Sequence, residues 1–365
     1  MMDSHAGNAT PPAIVVSHTD RSSRIGLAFW LVLTVALFAA PWWTDRSTLR
    51  LLSEFYSYVC LASLWNLLAG YAGLVSVGQQ AFVGLGAYVL FGCAIGFSLN
   101  PLWGAPAALI VSAALAVPIA LVLFRLRGAY FAIGSWVIAE VFLQVAQLTP
   151  SITGVDTNVS LPAALVKSMA STRDGREHLI YWLFLVLLVL TLGVIVALLR
   201  SRWGLALTAI RDNEIAAQAN GIDVNRTRLV VFVVASATTA VTGALIFLQK
   251  LSITPLAAFD MNSWTTNVIF MTVIGGIGRV EGPLLGALVF FVLRQFLADA
   301  GSVYLILLGI VAIGVMLRAP KGVWGYVADR WGWQLFPLAR RLEYKAPPAE
   351  AKPLVRDDVR SARQA

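Results

Sequence analysis

Charge is scarce in this chain of 365 residues: 13% are Asp, Glu, Lys or Arg, 58% are hydrophobic, and the mean hydropathy is +0.77. A soluble domain carries about a quarter charged residues, so a water-soluble globule is excluded. Cysteine is nearly absent as well. Cys60 and Cys93 lie far apart in apolar runs, which argues against a disulfide framework, and His5, His18 and His178 have no ligand-like spacing, so no metal site is expected. Period-two alternation is missing, which argues against a membrane β-barrel. No Gly-Lys pair occurs, hence no GxxxxGK[ST] phosphate loop, and there is no HExxH, Ser/His/Asp grouping or close carboxylate pair. An enzyme is therefore not expected, and no cofactor is expected on this chain.

What the chain has in abundance is long apolar stretches. A bilayer core of roughly 30 Å needs about 20 apolar residues per helix, and the runs suggest an all-α polytopic bundle of about ten spans. These are placed at 25–43, 51–70, 78–98, 102–124, 128–148, 179–199, 229–249, 264–278, 283–298 and 302–318. The first run follows a polar leader without a small-residue cleavage signature, and it reads as a retained span. Residues 1–24 and 319–365 form polar tails, the last twenty or so expected to lack fixed structure.

Most of the 27 Lys and Arg residues fall in segments on one side: before residue 25, at Arg125 and Arg127, from Arg200 to Arg228, at Arg279, and from Arg318 onward. Arg46, Arg50, Lys167, Arg173, Arg176 and Lys250 fall on the other. The positive-inside bias places both termini in the cytoplasm, and the net charge of +8 then suits anionic lipid headgroups and needs no nucleic acid. Trp42, Trp43, Trp103, Trp182, Trp264 and Trp324 near span ends read as interfacial anchors. Ten spans divide into two sets of five, but the glycine-rich stretches around 70–86 and 273–289 do not occupy equivalent places in such halves.

Polar groups within the spans form the candidate pathway. Glu140, Gln144 and Gln147 share one face of the fifth span at i, i+4, i+7, predicted to point away from lipid. Two readings stand: hydrogen bonds that fix the bundle, or the lining of a substrate path in which Glu140 pairs with an ammonium. Five glycines from Gly70 to Gly86 surround Ser76, Gln79 and Gln80. They suit either a broken helix with exposed backbone dipoles or closely approaching helices.

The polar run "WGLALTAIRDNEIAAQANGI" (203–222) cannot enter hydrocarbon. Asp212 or Asn213 can cap a short helix there, Glu214 suits its first turn, and Gly221 can supply a left-handed exit. By physics alone this helix either inserts into a groove of another protein or is a solvated connector.

The run "GLALTAIRDNEIAAQANGIDVNRTRLVVFVVAS" closely resembles the cytoplasmic loop of LivM-type permease subunits of bacterial ABC importers for branched-chain amino acids. Glu214, Ala216, Ala217 and Gly221 stand in the spacing those permeases present to their ATPases. "NLLAGYAGLVSVGQQAFVGLGAYV", "RLRGAYFAIGSWVIAEVF", "VIGGIGRVEGPLLGALV" and "APKGVWG" resemble further family segments, in family order. The resemblance implies a coupling helix over 211–221, with Ala216, Ala217 and Ala219 allowing close approach and Arg211 and Glu214 pairing across the interface. It also implies the partners: a second homologous permease, two cytoplasmic P-loop ATPase subunits that use ATP, and a periplasmic substrate-binding protein, all at the bacterial inner membrane.

The chain departs from the family at Leu74 and Gln79, where glutamine and histidine are usual, and at Arg279 and Glu281, in a turn commonly uncharged or aromatic. Those departures leave the cargo open. Branched-chain amino acids lead, with urea, short amides and other amino acids behind. "LTPSITGVDTNV" (148–159) either meets the delivery protein or caps the pore. The rival classes are an ATP-independent secondary transporter or channel, and a membrane scaffold without a transport role.

Overall fold

The computed structural model describes residues 13–17, 21–153, 158–297, 303–319, 322–331, 336 and 341–345. The tail from residue 346 onward and the 154–157 part of the turn after the fifth expected span lie outside the described residues.

The first half comprises α1 (Arg21–Phe38), α2 (Arg46–Asn66), α3 (Gln79–Phe91), α4 (Gly104–Leu123) and α5 (Ala129–Thr153). A short α6 (Ala163–Met169) leads to α7 (Arg173–Arg200), then α8 (Arg202–Asp212), α9 (Glu214–Ala219) and α10 (Val224–Lys250). The chain continues through α11 (Pro255–Ala258), α12 (Asn267–Gly275), α13 (Gly282–Leu297), α14 (Val303–Arg318) and α15 (Gly322–Trp331). Among the described residues four short strands complete it. β1 (Ala13–Ser17) pairs antiparallel with β4 (Arg341–Lys345), and β2 (Val159–Ser160) with β3 (Ser252–Ile253).

Among the described residues, five helices are long and apolar enough to cross a membrane: Gln79–Gly96, Pro101–Leu123, Ala129–Leu148, Arg173–Arg200 and Val224–Lys250. Val32–Trp42 and Gly282–Gln295 are shorter apolar helices. The expectation of about ten spans is therefore met as an all-α multi-pass protein, not as ten full-length helices. The eighth expected span shows why. Its α-helical part, α12, has 9 residues, a rise of about 14 Å or half a hydrocarbon core. The polar run "NSWTT" before it forms a wide helical turn in place of a regular start.

Capping sets where the long helices begin. Thr172 accepts a hydrogen bond from Gly175 N at the start of α7, and Asp223 accepts one from Arg226 N at the start of α10, each satisfying a donor that has no intrahelical partner. At its far end α10 stops where Leu251 takes a left-handed conformation (φ 59°), a rarity for a residue with a branched side chain.

The core forms around α10. Gly243 lets it lie against the backbone of Val83 on α3, and Gly86 on α3 lies in turn against the backbone of Ala240. A Cβ at either glycine would collide with main chain, so this pair of helices meets without side chains between them.

Arg46 bonds Asp174 (2.7 Å) and Arg50 bonds Glu177 (3.1 Å), so the starts of α2 and α7 share one end of the bundle. The other end carries α8 and α9 and is called the loop end below. Trp42, Trp43 and Trp103 are exposed as interfacial anchors should be. Trp264 and Trp324 are buried instead. Trp264 donates to Ala257 O (2.9 Å) and packs on Phe247 and Tyr58, so its partners are inside the protein.

Candidate functional site

Three features carry the chemistry: the loop between α7 and α10, an interior point where the chain breaks between α2 and α3 beside the start of α12, and the outer face of α5.

In the loop, the Asn213 side chain accepts from Ala216 N (3.0 Å) and starts α9, and Gly221 supplies the turn out with φ 81°. Ala217 is buried with Ile210 and Val224 in a small apolar cluster, which fixes the helix to its own loop. The opposite side is open. Ile215 is 80% exposed, and Ala216 and Ala219 are exposed beside it. Arg211 lies 3.5 Å from Asp212. Glu214, expected to pair across an interface, is instead held within the chain by Arg228 (3.0 Å).

The glycine-rich stretch contains both of its predicted features. After α2 a wide turn (Leu67–Tyr71) gives way to an irregular run through residues 72–78, in which Gly73 takes φ 69°. α3 then begins inside the bundle, not at its end. Val77 N donates to Ser135 Oγ on α5 (2.9 Å), and Gln79 Nε2 donates to Leu61 O (3.0 Å) and lies 3.4 Å from Thr239 Oγ1, about midway along α10. Ser76 accepts from Gly78 N (3.3 Å). Gln80 N donates to Thr265 Oγ1 (3.2 Å), and the Thr265 hydroxyl donates back to Gln80 Oε1.

Thr265 belongs to the wide turn Asn262–Thr266 that runs directly into α12, so the start of α3 is hydrogen-bonded to the start of that helix. The irregular run falls between the second and third expected spans, and the wide turn Asn262–Thr266 at the head of the eighth, so the two do not occupy equivalent places in sets of five. Ser76, Gln79 and Gln80 are all buried, and Gln79 Oε1 has no hydrogen-bond partner. A buried acceptor left open is costly, about 1–3 kcal/mol, unless a donor reaches it.

On α5 the inward positions are Phe131, Ser135, Ala139 and Ala146. Glu140, Gln144 and Gln147 lie roughly 100° around the helix and are exposed within this chain. Gln144 Nε2 donates to Glu140 Oε1 (3.1 Å), a bond along one helix that fastens no neighbour. Around them Ile133, Trp136, Val137, Val141 and Val145 are exposed as well.

Sequence reasoning missed Thr265, Arg228 and Asn66. Thr265 had a signal, a cluster of Asn, Ser and Thr at the head of a short span. Asn66 had none: it ends α2, donates to Arg279 O (2.8 Å) and accepts from Gly278 N (2.8 Å), clamping the turn between α12 and α13.

A chain break inside the bundle between α2 and α3, together with a carboxylate left open on an otherwise apolar helix, suits a multi-pass α-helical transport protein. The family model described as "Branched-chain amino acid transport system / permease component" matches residues 47–318. The chain belongs to that family. It is 26% identical over 333 residues to the high-affinity branched-chain amino acid transport system permease protein LivM of Salmonella typhimurium, covering 86% of this chain and 78% of the relative. The LivM of Escherichia coli is 25% identical over the same shares. A protein of Methanocaldococcus jannaschii named "probable branched-chain amino acid transport permease protein LivH" is 28% identical over 161 residues, 41% of this chain and 50% of the relative. No solved structure matches.

Proposed function

We propose that this permease is one membrane subunit of an ATP-driven importer of branched-chain amino acids. It works with a second, homologous permease, two cytoplasmic P-loop ATPases and a periplasmic binding protein, in the inner membrane with both termini in the cytoplasm. The observation that carries this reading is α9: a capped helix outside the spans, fixed to its own loop through Ala217 while Ile215, Ala216 and Ala219 stay open for a groove on the ATPase.

In this reading ATP closes the ATPases, the segment 211–221 moves with them, and the bundle changes the side to which its path opens. Ser76, Gln79 and Gln80 at the interior junction and Glu140 and Gln144 on α5 are the residues proposed along the path. Glu140 would meet an ammonium group, and the open Gln79 Oε1 would accept from an N–H donor. In this reading ATP is used by the partner subunits, and this chain acts as a transport subunit.

Reversal of charge in Glu214→Arg is expected to abolish uptake while the chain still inserts and melts as before. The variant should be assayed in membrane vesicles with ATP and labelled leucine. Undiminished uptake would remove the main support for coupling through α9.

The chain break inside the bundle also favours a second reading, an ion-driven transporter. In that case uptake would follow a sodium or proton gradient and proceed without ATP.

A further inference from the structure

We propose that Arg228 is the positioning residue that passes a displacement of α9 to α3. This rests on the coupling role proposed for α9 above.

Arg228 stands one turn into α10, where it is mostly buried (19% side-chain exposure) and branches two ways. One arm holds Glu214, the first residue of α9, at 3.0 Å. The other, Nε, donates to Ala72 O at 3.3 Å, the residue at which the wide turn after α2 opens into the irregular run 72–78. A guanidinium suits this position because its planar fork presents donors in fixed directions, so the two acceptors are held at a set separation. The run beyond Ala72 is irregular, turns at Gly73 (φ 69°), and is tied at Leu74 N to Leu68 O (2.9 Å) and at Ser76 O to Trp65 Nε1 (2.7 Å), so a shift at Ala72 is carried along it. Only five residues separate Gly73 from Gln79, whose neighbour Gln80 bonds Thr265 at the head of the helix ending in α12.

α12 is anchored at the same end of the bundle. Asn66, six residues before Ala72, grips Gly278 and Arg279 in the turn after α12. Gly70 lies so close to Gly278 that a Cβ on it would come within 2.5 Å of the Gly278 nitrogen. A pull on Ala72 thus acts on a segment joined to α3 and to the helix ending in α12, at the turn that Asn66 grips and at the Gln80–Thr265 pair. α10 itself is locked to α3 by close backbone contact, and the Glu214–Arg228–Ala72 bridge joins α9 directly to the segment that leads into α3.

The test uses the complete importer in proteoliposomes: this chain with its second permease, ATPases and binding protein, and labelled leucine as the probe. Three quantities are measured for Arg228→Gln and Arg228→Lys: ATPase recovered with the membrane subunits, ATP hydrolysed, and leucine taken up per ATP. The Gln variant is expected to keep the ATPases and their hydrolysis but lose about tenfold in uptake per ATP, within the span of couplings between distant sites. The Lys variant keeps a charge for Glu214 and loses the second arm, so an intermediate loss of about threefold is expected.

Unchanged uptake per ATP, or a loss that merely follows lost ATPase binding, overturns the proposal while leaving α9 as the docking helix. Absence of ATP-dependent uptake in the unaltered importer sinks the coupling reading itself, and this proposal with it. Should Arg228→Gln fail to insert, Glu214→Gln breaks the same bridge and keeps the Ala72 bond. It must show the same loss per ATP for the proposal to stand.

Discussion

α5 and α10 are both long apolar helices, yet 67% of the membrane window of α10 is buried within the chain against 22% of that of α5. Their side chains differ accordingly. α10 presents glycine, alanine, serine and threonine to its neighbours and touches α3 backbone to backbone. α5 turns Ser135 and Ala139 inward but leaves a carboxylate and two amides on its open side. A charge at midspan costs roughly 2.5–3.5 kcal/mol by insertion scales, so this face is not built for lipid. The difference teaches that α10 is the packing centre of this chain and α5 lies at its edge. The second permease is the proposed neighbour.

The sharpest way to break this comparison is to add bulk to each helix. Gly243→Leu on α10 drives a side chain into the Val83 backbone and is expected to cost about 3 kcal/mol or more, enough to lose the folded chain in detergent by gel filtration and thermal melting. Val137→Leu on the open side of α5 should stay within about 0.5 kcal/mol. Equal losses would show that α5 is packed as tightly as α10.

A middle-sized effect is expected for Glu140→Ala: an unaltered melt, but uptake by the assembled importer reduced about tenfold, equivalent to ~1.4 kcal/mol. Full uptake would make the carboxylate a bystander. The smallest effect belongs to Gln144→Ala, which removes one exposed hydrogen bond of about 0.5 kcal/mol and should lower uptake about twofold in the same assay.

Composition alone was enough to read the class of fold, because bilayer thickness dictates the length of an apolar helix and little else meets that demand. The loop helix was legible in part: a cap at Asp212 or Asn213 and an exit at Gly221 follow local rules, but the helix expected over 211–221 is split, with Arg211 and Asp212 ending α8 and α9 running only from Glu214 to Ala219. The direction of the α5 stripe was not legible. Periodicity gives the angle between Glu140 and Ala139 but not which of them meets the bundle, and small residues won the inward side because they let helices approach. The glycine stretch left two readings even, and both hold, with Gly73 in the break and Gly86 at a backbone contact. Arg228 and Thr265 went unnoticed because their partners are distant in sequence: Thr265 meets Gln80 185 positions away, and Arg228 reaches Ala72 over 156.

The pairing of β1 with β4 has a consequence for topology. Hydrogen-bonded strands cannot be separated by a bilayer, so the chain leaves and re-enters the same compartment between residues 17 and 341. The number of complete crossings between them must therefore be even. Parity excludes any scheme with nine or eleven, whatever the length of each helix, and a reporter joined beside either strand would signal from the same side of the membrane.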